Sequence, residues 1–265
     1  MKKGASPMNH AATSKLLAVL AALVVILAVA AGASAARSAP SSIAALGASA
    51  NTGFATAGAF DEAPANSWVT GTNRAVRSIY LRLRALNPAV AGHAYNYAEP
   101  GTGMSELADQ AAHVPPGTEL VTIATGVNDA CESRTTPAAF RAHFERALRV
   151  VEARTPRARV VVLSIFNVLA MWDAVKTLPT ASSGRNLCIS ATDRHRPELA
   201  RTIRNLNRQL ASVCARHPNC WYDGGAVYRL RWRRQDISTV DYFHPSLSGQ
   251  RNIATAMWAT GLFVH

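Results

Sequence analysis

Short apolar runs alternate with longer amphipathic segments along most of the chain. Apolar residues dominate positions 42–46, 120–124 and 159–166, which is typical of strands buried on both faces of a parallel sheet. Weaker strands are predicted at 92–97 and 220–222. Elsewhere apolar residues recur every three or four positions, which predicts helices. The predicted helices span residues 67–86, 104–113, 137–154, 194–216 and 246–258.

The alternation of strands and helices predicts one α/β domain with a parallel sheet. No internal repeat and no long linker interrupts the pattern in the sequence. In such folds, ligands bind at the carboxyl ends of the strands. The residues that follow the predicted strands are therefore the first candidates for chemistry.

The N-terminus has a different pattern. Three lysines accompany an unbroken apolar run at residues 16–31, and small residues follow it. This layout predicts a secretory signal peptide that is cleaved near Ala35 or Ala36, with a retained membrane anchor as the alternative. We therefore expect residues 1–36 to be a targeting segment and residues 37–265 to form the single domain of a secreted or cell-envelope protein.

Composition and charge narrow the class of protein. The 265-residue chain is 49% hydrophobic and 17% charged, which excludes a disordered chain and allows a sizeable core. Its formal net charge is +12, and +9 remains without residues 1–36. Such an excess favours an anionic membrane, an envelope polymer or nucleic acid, unless the arginines are simply spread over the surface. Export, and the lack of a recognisable binding motif in the sequence, argue against nucleic acid.

A basic and aromatic stretch at residues 228–234 lies shortly before a candidate catalytic segment. It is a candidate contact for an anionic substrate or for membrane headgroups. The alternative is a solvated loop with one packed tryptophan. The sequence by itself leaves both interpretations open.

Four cysteines are present, and export permits disulfides. Three pairings are possible. Cys214 and Cys220 enclose five residues, so a local bridge is the simplest prediction, and it leaves Cys131 to pair with Cys188. A zinc site is the rival interpretation, but the sequence has no two cysteines at the close spacing of zinc-binding motifs.

Four motifs follow predicted strands or precede the last predicted helix. Ser49 lies in a tight turn after the first strand, where its N–H group can support an oxyanion. Gly101 follows the second strand, and Asn128 offers a side-chain amide after the third. Asp241 precedes His244 by three residues, and a carboxylate so placed can orient an imidazole. Each motif alone is also typical of an ordinary turn, but the four in this order are more specific.

Together these motifs resemble the SGNH hydrolases, also called the GDSL esterase and lipase family. The resemblance extends over about residues 43–263. Other stretches are similar to secreted lipolytic members, and the two expected disulfides look like theirs. The stretches are residues 64–68, 87–88, 94–96 and 241–245.

The resemblance implies a three-layer α/β/α sandwich with a flavodoxin-like parallel sheet. It implies that Ser49 is the nucleophile, that His244 is the general base and then the acid, and that Asp241 orients His244. The oxyanion hole would combine the N–H groups of Ser49 and Gly101 with the side-chain amide of Asn128. The implied reaction is hydrolysis of a small-molecule or lipid ester through an acyl-serine, with no metal and no organic cofactor. We expect a monomer.

Position 48 departs from the family pattern. The family usually has Gly-Asp-Ser at the nucleophile, whereas Ala48 stands before Ser49 here. Because alanine cannot hydrogen-bond neighbouring loops, we expect a looser nucleophile turn and reduced or altered activity. The alternative functions are a catalytically impaired protein that binds lipid or cell-envelope polymer, and a carbohydrate O-deacetylase.

Overall fold

Five parallel strands form one sheet in the described part of the chain. The computed structural model describes Met1, residues 39–131, residues 135–179, Cys188 and residues 195–264. The strands are β1 (Ile43–Gly47), β2 (Ala94–Asn96), β3 (Leu120–Ala124), β4 (Arg159–Val162) and β5 (Cys220–Tyr222). Their order across the sheet is β2-β1-β3-β4-β5, and all neighbours are parallel. This flavodoxin-like order confirms the predicted fold class.

Helices cover both faces of the sheet. Because crossovers between parallel strands are right-handed, the connections from β1 to β2 and from β2 to β3 lie on opposite faces. The helices are α1 (Ile79–Leu86), α2 (Leu107–Ala112), α3 (Val127–Cys131), α4 (Pro137–Arg154), α5 (Val168–Val175), α6 (Arg196–Cys214) and α7 (Leu247–Ala259). On one face α2, α4 and α6 pack side by side. On the other face α1 and α7 meet, with Arg82 lying over the ring of Trp258.

The central strands are the most deeply buried elements. Every residue of β1 and of β3 is buried, because helices cover the sheet on both sides. The two strands pair in register from Ile43 opposite Leu120 to Gly47 opposite Ala124. Their carboxyl ends therefore stop at the same level, and the loops that follow them are neighbours. Large side chains complete the core on the two faces: Trp68, Phe140, Phe144 and Phe263.

Capping residues define the helix boundaries. Thr136 accepts a hydrogen bond from the N–H of Ala139, and α4 spans the predicted residues. Ser246 caps α7 in the same way by accepting from Gly249. Both caps hold a connecting loop against the start of a helix, and for α7 that loop carries Asp241 and His244.

The predicted helix at 67–86 is wrong over its first half. The Ser67 hydroxyl accepts from the N–H groups of Val69 and Thr70, which favours a turn over a helix. Ser78 then caps a new helix by accepting from Leu81, so α1 begins only at Ile79. The apolar residues Trp68, Val69 and Val76 of the first half are buried, but they lie in turns.

Other boundaries also differ from the predicted ones. The strand predicted at 159–166 ends at Val162, and the apolar residues after it form a loop and α5. The Asn167 side chain caps α5 by accepting from Ala170. The sequence pattern does not predict the short helices α3 and α5, because neither is long enough to show a full helical period.

Two disulfides join the four cysteines. Cys131 is bonded to Cys188, and Cys214 is bonded to Cys220. The rival zinc interpretation is therefore wrong, because all four sulfur atoms are used in bonds to one another. The first disulfide fixes the last residue of α3, and the second fixes the end of α6 against the start of β5.

The predicted targeting segment at residues 1–36 lies outside the described residues, apart from Met1. Among the residues that the structure does describe, no helix is long and apolar enough to cross a membrane. The cleaved signal peptide and the retained anchor both stay predictions.

Candidate active site

The carboxyl ends of β1 and β3 form the point where the strand order of the sheet reverses. Ligands bind at such points in open α/β sheets. Ser49 opens a single 3-10 turn, Ser49–Thr52, after β1, and Asn128 lies in α3 after β3. Both residues line one cleft together with His244, which precedes α7. The structure thus brings residues from three distant parts of the chain to one edge of the sheet.

His244 connects Ser49 to Asp241. Its Nε2 atom lies 2.7 Å from the Oγ atom of Ser49, and its Nδ1 atom lies 2.6 Å from Oδ2 of Asp241. The histidine and the aspartate are buried, whereas the serine is half-buried at the cleft. A proton on Nδ1, held by the carboxylate, leaves Nε2 free to accept the serine proton. This geometry suits a general base beside a nucleophile.

Asp241 is held as a carboxylate. Its Oδ1 atom accepts from the backbone N–H groups of Phe243 and His244, at 2.9 and 3.0 Å. Burial alone would raise the pKa of Asp241, but hydrogen bonding and attraction to His244 and the two backbone donors outweigh it, so the pKa lies below its ordinary value. The Phe54 ring packs 4.8 Å from the His244 ring and limits its rotation.

Side-chain amides hold the turn that carries the nucleophile. Gln110 accepts from the N–H of Gly47 at 2.7 Å and donates to the carbonyl of Gly47 at 3.0 Å. Asn51 donates to backbone carbonyls at the ends of β1 and β3. Gln250 donates to the carbonyl of Ala50 at 3.1 Å. All three amides are buried, so their hydrogen bonds are shielded from competition by water.

Two glycines let the strand ends approach each other. Gly47 has φ of +132°, and a Cβ atom there would lie 2.0 Å from the carbonyl oxygen of Ala124. Gly126 has φ of +102°, and a Cβ atom there would lie 2.7 Å from Cδ1 of Ile165. Both positions need glycine for its backbone conformation and for its lack of a side chain.

Of the candidate oxyanion donors, Asn128 lines the cleft and Gly101 does not. The Asn128 amide lines the cleft and donates to the carbonyl of Thr102 at 2.7 Å, which fixes its orientation. The Thr102 hydroxyl in turn donates to the carbonyl of Gly47 at 3.1 Å. Gly101 precedes this threonine in an exposed turn and is not among the residues that line the cleft. Within the described residues, Gly101 is therefore connected to the cleft through Thr102, whose hydroxyl contacts Gly47 and whose carbonyl contacts Asn128.

Asp129 ties the loop after β2 to α3. It is buried, and its Oδ2 atom accepts from the N–H of Met104 at 3.0 Å. Burial is the main influence on this carboxyl and raises its pKa above the ordinary value, against the effect of its hydrogen bonds. Asp129 contacts loops that position Asn128 rather than the serine or the histidine.

An apolar wall forms one side of the cleft. The cleft encloses about 500 Å³, counting the space open to solvent. The wall comes from the loop after β4 and from α5, and it faces the nucleophile. The wall therefore gives the cleft an apolar surface beside Ser49. The wall residues are Ile165, Phe166, Val168 and Met171.

Sequence reasoning missed both the amides around the nucleophile and the apolar wall. The amides did leave a signal. Gln110 and Gln250 stand on the inward faces of predicted helices, where a polar side chain needs a buried partner. The apolar wall has no comparable signal in the sequence, because it depends on a loop whose apolar residues predict a strand.

The arrangement of serine, histidine and aspartate on this fold is that of serine hydrolases. A sequence model of the GDSL-like lipase/acylhydrolase family matches residues 55–251. The protein belongs to this family. The matched range includes Gly101, Asn128, Asp241 and His244, and begins after Ser49. No curated protein sequence matches the chain.

Solved structures agree on the fold. Phospholipase A1 from Streptomyces albidoflavus NA297 is 17% identical with a TM-score of 0.51, over 84% of this chain and 100% of that one. A lipase from a goat rumen metagenome is 16% identical with a TM-score of 0.52, over 83% and 97%. A mutant of an acetyl-xylooligosaccharide esterase from Geobacillus stearothermophilus is 13% identical with a TM-score of 0.52, over 85% and 95%. At these identities the likeness concerns the fold alone.

Proposed function

We propose that the protein is a secreted serine esterase or lipase that hydrolyses carboxylic esters through an acyl-Ser49 intermediate. The observation that carries this proposal is the continuous hydrogen-bonded chain from Ser49 through His244 to Asp241. Membership of the GDSL-like family supports hydrolysis as the reaction class. The apolar wall beside the serine suits the acyl part of an ester.

In the first half of the reaction, the Ser49 hydroxyl attacks the carbonyl carbon of the ester. His244 takes the hydroxyl proton on Nε2, and Asp241 stabilises the resulting imidazolium through Nδ1. The carbonyl oxygen becomes an oxyanion, which the Ser49 N–H and the Asn128 amide would stabilise, with Gly101 as the third donor. Collapse of this intermediate expels the alcohol, which leaves with the proton from His244.

In the second half, water repeats the attack on the acyl-serine. His244 takes a proton from the water, the new oxyanion occupies the same site, and collapse returns the proton to Ser49 and releases the acid. Every proton moves through one imidazole.

The proposal also includes secretion of the protein. We propose that residues 1–36 direct secretion and that residues 37–265 are the mature domain. The two disulfides support an oxidising compartment, because such bonds do not persist in a reducing cytosol.

The test is hydrolysis of p-nitrophenyl esters with acyl chains from C2 to C16, with Ser49→Ala as the control. We expect turnover in the wild-type protein and loss of at least about 10³-fold in the control, as for other serine nucleophiles. The variation of rate with chain length would distinguish an esterase from a lipase. Folded wild-type protein with no turnover above the control would refute ester hydrolysis of this kind.

A fluorophosphonate label addresses the catalytically impaired alternative. An activated serine reacts with such a label, whereas an ordinary surface serine does not. We expect one label per chain, lost in Ser49→Ala and in His244→Ala. An unlabelled wild-type protein that still binds lipid vesicles or envelope polymer would favour the binding protein instead. Release of acetate from acetylated xylan in preference to the p-nitrophenyl esters would favour the carbohydrate O-deacetylase.

A further inference from the structure

Residues 228–234, which we call the basic strip, present charged and apolar side chains alternately. Arg229, Arg231 and Arg233 are exposed, and the residue before each of them (Tyr228, Leu230 and Trp232) is half-buried. Arg234 is also exposed. Four guanidinium groups thus point to solvent along one short segment, while its apolar side chains pack on the domain.

The basic strip runs along the rim of the candidate active site. The backbone N–H of Tyr228 donates to the Ser164 hydroxyl at 2.8 Å, and Ser164 lines the cleft. The Trp232 ring contacts the ring of Phe166, a residue of the apolar wall, at a centroid distance of 6.0 Å. Just beyond the strip, Ile237 forms a β-bridge with Pro245, which also lines the cleft.

The charges of the basic strip are not neutralised locally. Within the described part of the chain, none of its arginines forms an ion pair with a carboxylate. Asp223 and Asp236 lie nearest in sequence, but both are buried and already accept hydrogen bonds from backbone and serine groups. Arg229 donates to the carbonyl of Gly224, which is an uncharged partner. The strip is therefore a surface of positive charge beside an apolar cleft.

We propose that the basic strip docks the protein on an anionic lipid bilayer, so that ester substrates enter the cleft from that surface. Guanidinium groups bind the phosphates of lipid headgroups in a two-point geometry. The apolar cleft at the same rim receives the acyl chain of the lipid. A soluble polyanion would use the arginines but not the cleft, which is why a lipid is favoured. This proposal rests on the proposed function for what happens after docking.

Vesicle binding tests docking separately from catalysis. The secreted protein, which we propose to comprise residues 37–265, carries Ser49→Ala to prevent hydrolysis. It is sedimented with vesicles of phosphatidylcholine alone or mixed with phosphatidylglycerol. The test variant adds Arg231→Gln, Arg233→Gln and Arg234→Gln. A matched control instead removes three exposed arginines of α6: Arg201→Gln, Arg204→Gln and Arg208→Gln.

We expect the test variant to bind anionic vesicles about 100-fold more weakly, because each arginine at such a surface contributes about fivefold. The α6 control should lose less than about fivefold in its affinity for anionic vesicles. Raising the salt from about 50 to about 500 mM should weaken vesicle binding by the protein with the intact basic strip. In protein that retains Ser49, hydrolysis of soluble p-nitrophenyl acetate should be the same with and without the strip substitutions. Absence of this hydrolysis would count against the proposed function. The vesicle-binding result would still decide whether the basic strip docks on a bilayer.

Three results would overturn the proposal. One is equal loss of binding in the test variant and the α6 control, which would mean that overall charge alone is responsible. Another is equal binding of the protein to neutral and anionic vesicles. The third is tighter, strip-dependent binding to polyglutamate than to anionic vesicles, which would assign the strip to a soluble polyanion.

Discussion

Replacing Gln110 with methionine tests whether the nucleophile turn is positioned by a buried amide. Methionine has similar volume and no amide, so the change removes hydrogen bonds without opening a large cavity. The carbonyl of Gly47 keeps two other donors, Glu99 N–H and the Thr102 hydroxyl, at 3.0 and 3.1 Å. The N–H of Gly47 loses its acceptor. An unpaired buried donor costs about 1–3 kcal/mol, so we expect a loss of about 2 kcal/mol in the free energy of unfolding.

That loss corresponds to a fall of about 4–8 °C in the melting temperature of a domain of this size. The same change frees Gly47, which lies two residues before Ser49, and Thr102, whose carbonyl holds the Asn128 amide. Because small displacements of reacting groups slow chemistry strongly, kcat should fall about 10- to 100-fold, with KM changed by less than about threefold. Steady-state kinetics on a soluble ester and thermal unfolding supply the two readouts.

Two further variants sharpen the test. Gln209→Met, on the half-exposed side of α6, serves as the control and should change neither readout. Gln110→Glu replaces the amide with a carboxylate that repels the Gly47 carbonyl, whereas its protonated form can accept and donate as glutamine does. The folded-state pKa of this glutamate is therefore raised, and its contribution to stability is present at low pH and lost as pH rises through that pKa. Gln110→Met with reduced stability and unchanged kcat would refute a positioning role.

Other perturbations have effects that follow from single features of the structure. Loss of the Cys131–Cys188 bond by double alanine substitution should lower the free energy of unfolding by about 4 kcal/mol, and loss of Cys214–Cys220 by about 2 kcal/mol. The two values differ because the first bond closes a much longer loop. Chemical denaturation measures both free energies. Asp241 has a lowered pKa, so its stabilising effect is present above the unfolded-state pKa and is lost as pH falls through the folded-state value. Asp241→Asn should remove that acid dependence from the melting curves and lower kcat by about 10⁴-fold, and an unchanged kcat would exclude Asp241 from the mechanism. Gly126→Ala combines backbone strain with a contact at 2.7 Å to Ile165, so it should reduce the yield of folded protein, and soluble, fully active protein would contradict this geometry.

Much of the fold could be predicted because its signals are local. Buried parallel strands such as β3 read as continuous apolar runs, and α4 has both an apolar stripe and a capping threonine. The helix predicted at 67–86 failed for a physical reason. Its apolar residues are buried by tertiary contacts, and the Trp68 backbone N–H donates to Gln250, a residue far along the chain. Helical spacing cannot distinguish a helix from turns that bury the same side chains.

The sequence predicts the part of the candidate site in which the residue type itself indicates the chemistry. Ser49, Asn128 and His244 stand at strand or loop ends and meet at one cleft. Their supporting contacts join residues that are far apart in sequence, as between Gln110 and Gly47, so no local pattern contains them. Gly101 illustrates the same limit, because a turn glycine shows where the backbone bends but not where its N–H points.

Ala48 shows the difference between what the local sequence predicts and what distant contacts add. The sequence led us to expect a loose turn, because alanine offers no side-chain hydrogen bond to the neighbouring loops. In the structure, the backbone N–H of Ala48 donates to the carbonyl of Ala124 at 3.2 Å, and buried amides bind the backbone of Gly47 and Ala50. Uncharged amides can satisfy both a donor and an acceptor of the backbone, whereas a carboxylate can only accept. The turn therefore has hydrogen-bond partners that do not involve the side chain at position 48. In the reaction that we propose, an uncharged residue at this position also adds no negative charge near the oxyanion.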